Sequence, residues 1–136
     1  FPNTISDMLT KGALLDKSKG IYRGLIKIAK DAPHSNGYQK EETLLLSNEA
    51  EADSIPELEI DNSEVRCTHG ATVSHLDEDK LFYLMSRGLD EETAKQELVK
   101  GFFNDLLRKI NLEEIENIKT IIEAKIKWTL KKIFQF

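Results

Sequence analysis

Cysteine is almost missing: Cys67 stands alone among 136 residues. One thiol cannot close an internal disulfide, so nothing points to an oxidising compartment and a reducing interior is the default expectation. No apolar stretch approaches the roughly 20 residues that a bilayer helix needs. The opening "FPNTISDMLTKGALLDKSKG" also lacks the basic-then-apolar layout of a secretory leader. A soluble protein without a membrane role is expected. Because the sequence starts at Phe1 and not at methionine, further sequence upstream is expected. The glycines are scattered and none builds a phosphate-cradling loop, so no bound nucleotide is expected. Basic residues form no stripe: 19 lysines and arginines are interleaved with 24 acids, for a net charge of -5. That balance argues against nucleic acid as a partner.

What is present supports a real core. Hydrophobic residues make up 40% of the chain, enough for one domain of ordinary size or for a piece of a larger one. The pattern changes near Leu76. Before it, "GIYRGLIKIA" alternates Ile21, Arg23, Leu25 and Lys27 against Tyr22, Ile26 and Ile28, and short apolar groups recur in "TLLLS", "ELEI" and "EVRCTHGATV". The clusters "DAPHSNG", "SNEAEADSIP" and "DNS" read as turns between them. Asn36-Gly37 is the one two-residue hairpin signal. The spacing therefore predicts a coil of short stacked strands, about two or three turns of a solenoid, with an open edge for further sequence or a partner to cover.

After Leu76 the period becomes helical. Asp77 caps "DEDKLFYLMSR" and Gly88 sits where a helix ends in a left-handed residue. Asp90 starts a second helix with Glu91 and Glu92 in its first turn, and its apolar face reads Ala94, Leu98, Phe102, Leu106 and Ile110, widened by Val99, Phe103 and Leu107. Asn111 with Glu114 caps a third, whose stripe is Ile115, Ile118, Ile122, Ile126, Leu130 and Ile133, flanked by Ile121 and Trp128. The expected division is residues 1–75 for the strands and 76–136 for the helices.

The chemistry centres on "VRCTHGATV". On an extended strand Val65, Cys67, His69, Ala71 and Val73 share one face, so the cysteine and the histidine are neighbours. Two such ligands are half of a tetrahedral zinc or iron site. The residues alone leave a bland alternative open, with Cys67 as a small hydrophobe and His69 as a core histidine bonded to backbone. A thiol enzyme would need a third group to orient the base, and none can be named. His34 in a polar corner and His75 before a helix are expected to be solvated.

"YQKEETLLLSNEAEADSIPELEID", then "VRCTHGATVSHLDEDKLFYLMSRGLDEETAKQELVKGFF", then the isoleucine-rich helix together resemble the C-terminal part of the SufB/SufD family, over roughly Gly20 to Leu130. The order "CTHGATV", "LDEDKLFYLMSRGL", "GFF" is a specific combination. The resemblance implies a mixed β and α fold, the end of a right-handed parallel β-helix followed by about three C-terminal helices. It implies a scaffold subunit, not an enzyme, in iron–sulfur cluster assembly. It implies docking of a SufC-type ABC ATPase through the helices, and pairing with a SufB or SufD sister subunit through the β-helix. His69 matches the histidine of the family's Cys-Ser-His-Gly-Ala stretch and Cys67 lies beside it, so both are expected to take part in building a cluster that is held transiently and shared with the partner. The ATPase contact is expected between Leu76 and Phe103, at Leu81, Phe82, Leu84, Arg87, Gly88, Phe102 and Phe103. Gly70, where the SufB branch commonly carries glutamate, makes the chain look closer to the SufD type. The corner "APHSNGYQ" departs from the family pattern. A cytoplasmic protein is expected, with a plastid as the other setting of this chemistry. The rival expectation is a structural interaction module without a metal role.

Overall fold

Five strands of ten residues each come first: β1 (Ile5–Leu14), β2 (Lys19–Ile28), β3 (Asn36–Leu45), β4 (Glu51–Ile60) and β5 (Arg66–His75). Two helices follow, α1 (Glu78–Ser86) and α2 (Glu91–Leu107). The computed structural model describes residues 1–108, 117–118, 120–122 and 124–125, and the described positions beyond 108 are helical. The expected cap at Asn111 and Glu114, and Ile110, Ile115, Ile126, Trp128, Leu130 and Ile133, lie outside the described residues.

Odd-numbered strands form one sheet in the order β1-β3-β5 and even-numbered strands form a second, β2-β4. β1 pairs in parallel with β3 from Ile5↔Asn36 to Leu14↔Leu45, and β2 with β4 from Lys19↔Glu51 to Ile28↔Ile60. Each strand thus hydrogen-bonds to the strand two places on, one circuit of the chain later. Asn36-Gly37 therefore does not form a hairpin; both residues open β3, because the ladder is parallel and leaves no place for a two-residue return. The strands are also longer than the short runs expected from sequence. Glu51 to Pro56, read as part of a turn, is strand, with the inward positions occupied by the small residues Ala52, Ser54 and Pro56. Pro56 is tolerated because β4 is an edge strand.

The corners repeat with the same step. Asn3 and His34, each just before an odd strand, take left-handed backbone with φ of 57° and 60°, as does Asp16 at 56°. Side chains tie one corner to the next: Ser47 Oγ donates to the Asp16 carbonyl at 2.7 Å, and Asn62 Nδ2 to that of Lys30 at 2.8 Å. Lys17–Glu49, Lys19–Glu51 and Lys27–Glu59 bridge successive circuits on the outside, where solvent leaves each pair little net value.

Inside, one end of the coil is apolar. Ile26, Ile28 and Ala32 are buried, with Met8, Leu58, Val65 and Cys67 packed against them. Each isoleucine contributes on the order of 1.5–3 kcal/mol by leaving water. The chain separates into two compact units, Phe1–Ser74 and His75–Phe136. In the second, α1 packs against α2, and Ala94, Val99 and Leu107 are buried along the expected face of α2. Asp77 Oδ1 accepts from the Lys80 N–H at 3.0 Å, Asp90 Oδ1 from the Thr93 N–H at 2.9 Å, and Gly88 has φ 98°. The capping expectations at Asp77, Asp90 and Gly88 are met. No helix among the described residues is long and apolar enough to cross a membrane.

One ion pair in the strand unit is largely removed from water. Lys11 Nζ lies 2.8 Å from Glu42 Oε2, with the side chains 5% and 19% exposed. Lys11 and then Lys40 hold the Glu42 carboxyl below the usual carboxylate range. A folded-state pKa below the unfolded one gives stability that is present above the unfolded value and lost as pH falls through the folded one. Unfolding free energy should therefore decline below about pH 5, and Glu42→Gln should flatten that part of the profile. Equal slopes for the two proteins in denaturant titrations at several pH values would contradict this.

Candidate functional site at the end strand

β5 ends the odd sheet among the described residues. Its register follows from two bonds: the Arg66 N–H donates to the Ser35 carbonyl at 3.1 Å, as the Asn36 N–H does to Thr4 at 2.8 Å one circuit earlier. Since Asn36 pairs with Ile5, Arg66 lies beside Asn36. The inward positions then run Cys67 beside Gly37, His69 beside Gln39, Ala71 beside Glu41 and Val73 beside Thr43. Gly37 supports this placement, for a Cβ built there would sit 3.1 Å from Cys67 Sγ and 3.1 Å from Ile26 Cγ2.

The two expected site residues share a face, as alternation predicts, yet meet different surroundings. Cys67 is half-buried on the Ile26–Ile28 core, and burial pushes its thiol pKa up. It is a poor nucleophile there. His69 is exposed. It is not a sealed core histidine, because β5 is the last strand of its sheet here and nothing in the strand unit stacks beyond it. His34 is exposed in its corner with Nε2 3.8 Å from Glu64 Oε2, and His75 is exposed at the end of β5. No group of three or more His, Cys, Asp or Glu side chains among the described residues could hold a metal. Cys67 and His69 thus offer at most two ligands.

A row of inward polar side chains on β3 was not anticipated. Gln39 is 0% and Glu41 3% exposed, and Thr43 is also buried. Thr43 Oγ1 donates to Glu41 Oε1, while Glu41 Oε2, both polar atoms of Gln39 and Ser54 Oγ are buried without a partner among the described residues. Gly24 makes room for the Gln39 amide: a Cβ there would lie 2.3 Å from Nε2 and 2.6 Å from Tyr22 Oη. The Gln39 amide and the Tyr22 phenol thus meet over Gly24, while Ser54 lies opposite Tyr22 on β4.

On the helical unit, the expected contact residues divide. Phe82 is 74% exposed, so its ring is surface and not core, whereas Leu81 and Leu84 are half-buried. Phe102 and Phe103 are half-buried and meet edge to face with centroids 5.0 Å apart. Arg87 lies over the Tyr83 ring at 5.5 Å, and Gly88 ends the helix. Tyr83 and Met85 extend the exposed apolar surface around Phe82 and were not anticipated.

Residues 1–102 match the family model described as SUF system FeS cluster assembly, SufBD core domain. An iron–sulfur cluster assembly SufBD family protein of Staphylococcus saprophyticus is 33% identical over 129 residues, covering 95% of this chain and 28% of its own. A protein of the same description from Synechocystis is 32% identical over 128 residues, with 94% and 27% covered. One from Staphylococcus aureus strain USA300 is 33% identical over 129 residues, with 95% and 28% covered. The chain spans little more than a quarter of these relatives' length.

The surroundings of Cys67 make a simple forecast. Alkylation at neutral pH should be slow in the native protein and fast once denaturant exposes the thiol, followed by mass spectrometry; rapid native labelling would contradict a core-packed, protonated sulfur.

Proposed function

The chain belongs to the SufBD family of SUF-system iron–sulfur cluster assembly proteins, and from that premise we propose that it is part of a scaffold subunit without catalytic activity of its own. The observation that carries this reading is the position of His69: an inward residue of the coil, left exposed on the strand that ends its sheet among the described residues. An imidazole there can donate to a cluster whose remaining ligands come from a second polypeptide. The cluster is cargo, assembled and passed on. Cys67, two residues earlier on the same face, anchors the start of β5 on the Ile26–Ile28 core.

The strand unit is proposed to be the end of a right-handed parallel β-helix. The parallel pairing of every second strand supports a coil, and its hand follows from the near-universal right-handedness of parallel crossovers. Pairing with a SufB or SufD sister subunit would use the β5 end. Gly70 after His69 supports a SufD-type role. The SufC-type ATPase is proposed to dock on the helical unit at Leu81, Phe82, Leu84, Arg87, Gly88, Phe102 and Phe103, where Phe82 and its exposed neighbours Tyr83 and Met85 offer an apolar surface. ATP would then be hydrolysed by the partner. The bacterial relatives fit a cytoplasmic setting.

Reconstitution with iron, sulfide and the partner subunits tests the site. His69→Ala should lower cluster yield with the complex intact, and a yield equal to wild type would favour a purely structural module. Docking is tested separately. Phe82→Ala should change stability by no more than about 0.5 kcal/mol, since the ring is exposed, while co-purification of the ATPase falls. Undiminished co-purification would move the interface elsewhere.

A further inference from the structure

Burial of Gln39 and Glu41 asks for a ligand. A carboxylate almost wholly out of water is costly unless it is paired, hydrogen-bonded or bound to a cation. Glu41 has one oxygen on Thr43 and none on the other, and Gln39 beside it has no partner for its amide among the described residues. The lysines near this strand do not relieve the charge, because Lys11 and Lys40 both bind Glu42, which points to the opposite face. Native structures rarely leave such groups orphaned, and where they do an ordered water or an ion is the usual reason.

The register brings a third donor to the same place. His69 lies next to Gln39 on the adjoining strand and diagonally across from Glu41, on the same inward face. A carboxylate oxygen, an amide oxygen and an imidazole nitrogen form a mixed oxygen and nitrogen set, suited to divalent first-row cations such as ferrous iron or manganese and unsuited to soft copper(I). Ala71, the β5 residue beside Glu41, is small and adds no competing donor. Cys67 turns into the apolar end against Ile26 and Ile28 and stays outside the set. Tyr22 Oη, which shares the space over Gly24 with the Gln39 amide, is placed to hydrogen-bond a water bound to the ion.

We propose that Glu41, Gln39 and His69 bind a ferrous-type divalent cation between β3 and β5, so that the scaffold holds iron inside its last circuit before the cluster is built. This rests on the reading of His69 as an assembly residue and adds to it two ligands that the sequence pattern hides. The cation balances the Glu41 charge, satisfies the Gln39 amide, and keeps coordination positions open on the exposed side, where His69 meets solvent or a second subunit.

The test uses the full-length protein and Mn2+ alone as probe, since the six-line resonance of free Mn2+ disappears on binding. Wild type should bind Mn2+ in competition with Fe2+ under anaerobic conditions. Glu41→Gln should weaken that binding by at least about tenfold, a typical loss when a metal site is damaged. Gln39→Glu, which adds a carboxylate, should tighten it. Mn2+ should raise the melting temperature of wild type and leave that of Glu41→Gln unmoved, because only a native-state ligand stabilises. Unchanged Mn2+ binding in folded Glu41→Gln and Gln39→Glu would overturn the proposal and leave the polar row hydrated by water only. That failure is distinct from failure of the assembly reading. Cluster yield lost in His69→Ala with Mn2+ binding unchanged in both Glu41→Gln and Gln39→Glu would sink the cation site alone. Normal yield in His69→Ala would sink the assembly reading, whatever Mn2+ does.

Discussion

Parallel pairing between each strand and the strand two places on governs this molecule. Once Ile5 lies beside Asn36 and Lys19 beside Glu51, every inward residue is stacked on an inward residue of the next circuit, and every corner on a corner. The apolar end, the polar row and the outer lysine–glutamate bridges are all consequences of that step. So is the exposure of His69, which belongs to the inward column yet has no strand beyond it in its sheet among the described residues. A slip of one residue would turn Cys67 and His69 outward and bring Arg66 and Thr68 inside.

The coil has two interiors with different physics. Around Ile26, Ile28 and Leu58 it behaves as an ordinary core, where Cys67 contributes contact area and its thiol is kept protonated by burial. A few ångströms along the same strands it becomes polar, with Gln39, Glu41, Thr43 and Ser54 enclosed and Gly24 leaving space for the amide. Replacing that row with aliphatic residues of similar volume would stabilise a solenoid that had only to fold. Retention of unpaired polar atoms next to His69 is the kind of local conflict that marks functional ground.

Local signals were legible where the physics is local. Asp77, Asp90 and Gly88 delimit the helices because caps act within one turn of chain, and the alternation of Tyr22, Ile26 and Ile28 against Arg23, Leu25 and Lys27 separates the two faces of β2. Signals that depend on partners were not. The sequence of β1 carries no regular alternation, and the first half of β4 looks like a turn because a coil interior accepts small residues such as Ala52, Ser54 and Pro56 that carry no strand signature. In "YQKEET" both faces are polar, so nothing marks Gln39 and Glu41 as inward until β1 and β2 are in place. The Cys67–His69 pair was visible from its spacing, but the difference between a sulfur on the core and an open imidazole depends on β5 closing the sheet.

The account stands on His69 facing a second polypeptide from the end of the coil, and the most direct measurement is a photoactivatable side chain placed at position 69 in the full-length protein assembled with its partners. Irradiation should give an adduct to the sister subunit, with a much weaker one from position 68 on the opposite face of the strand. Adducts confined to the chain's own interior, or equal yields from both positions, would contradict it.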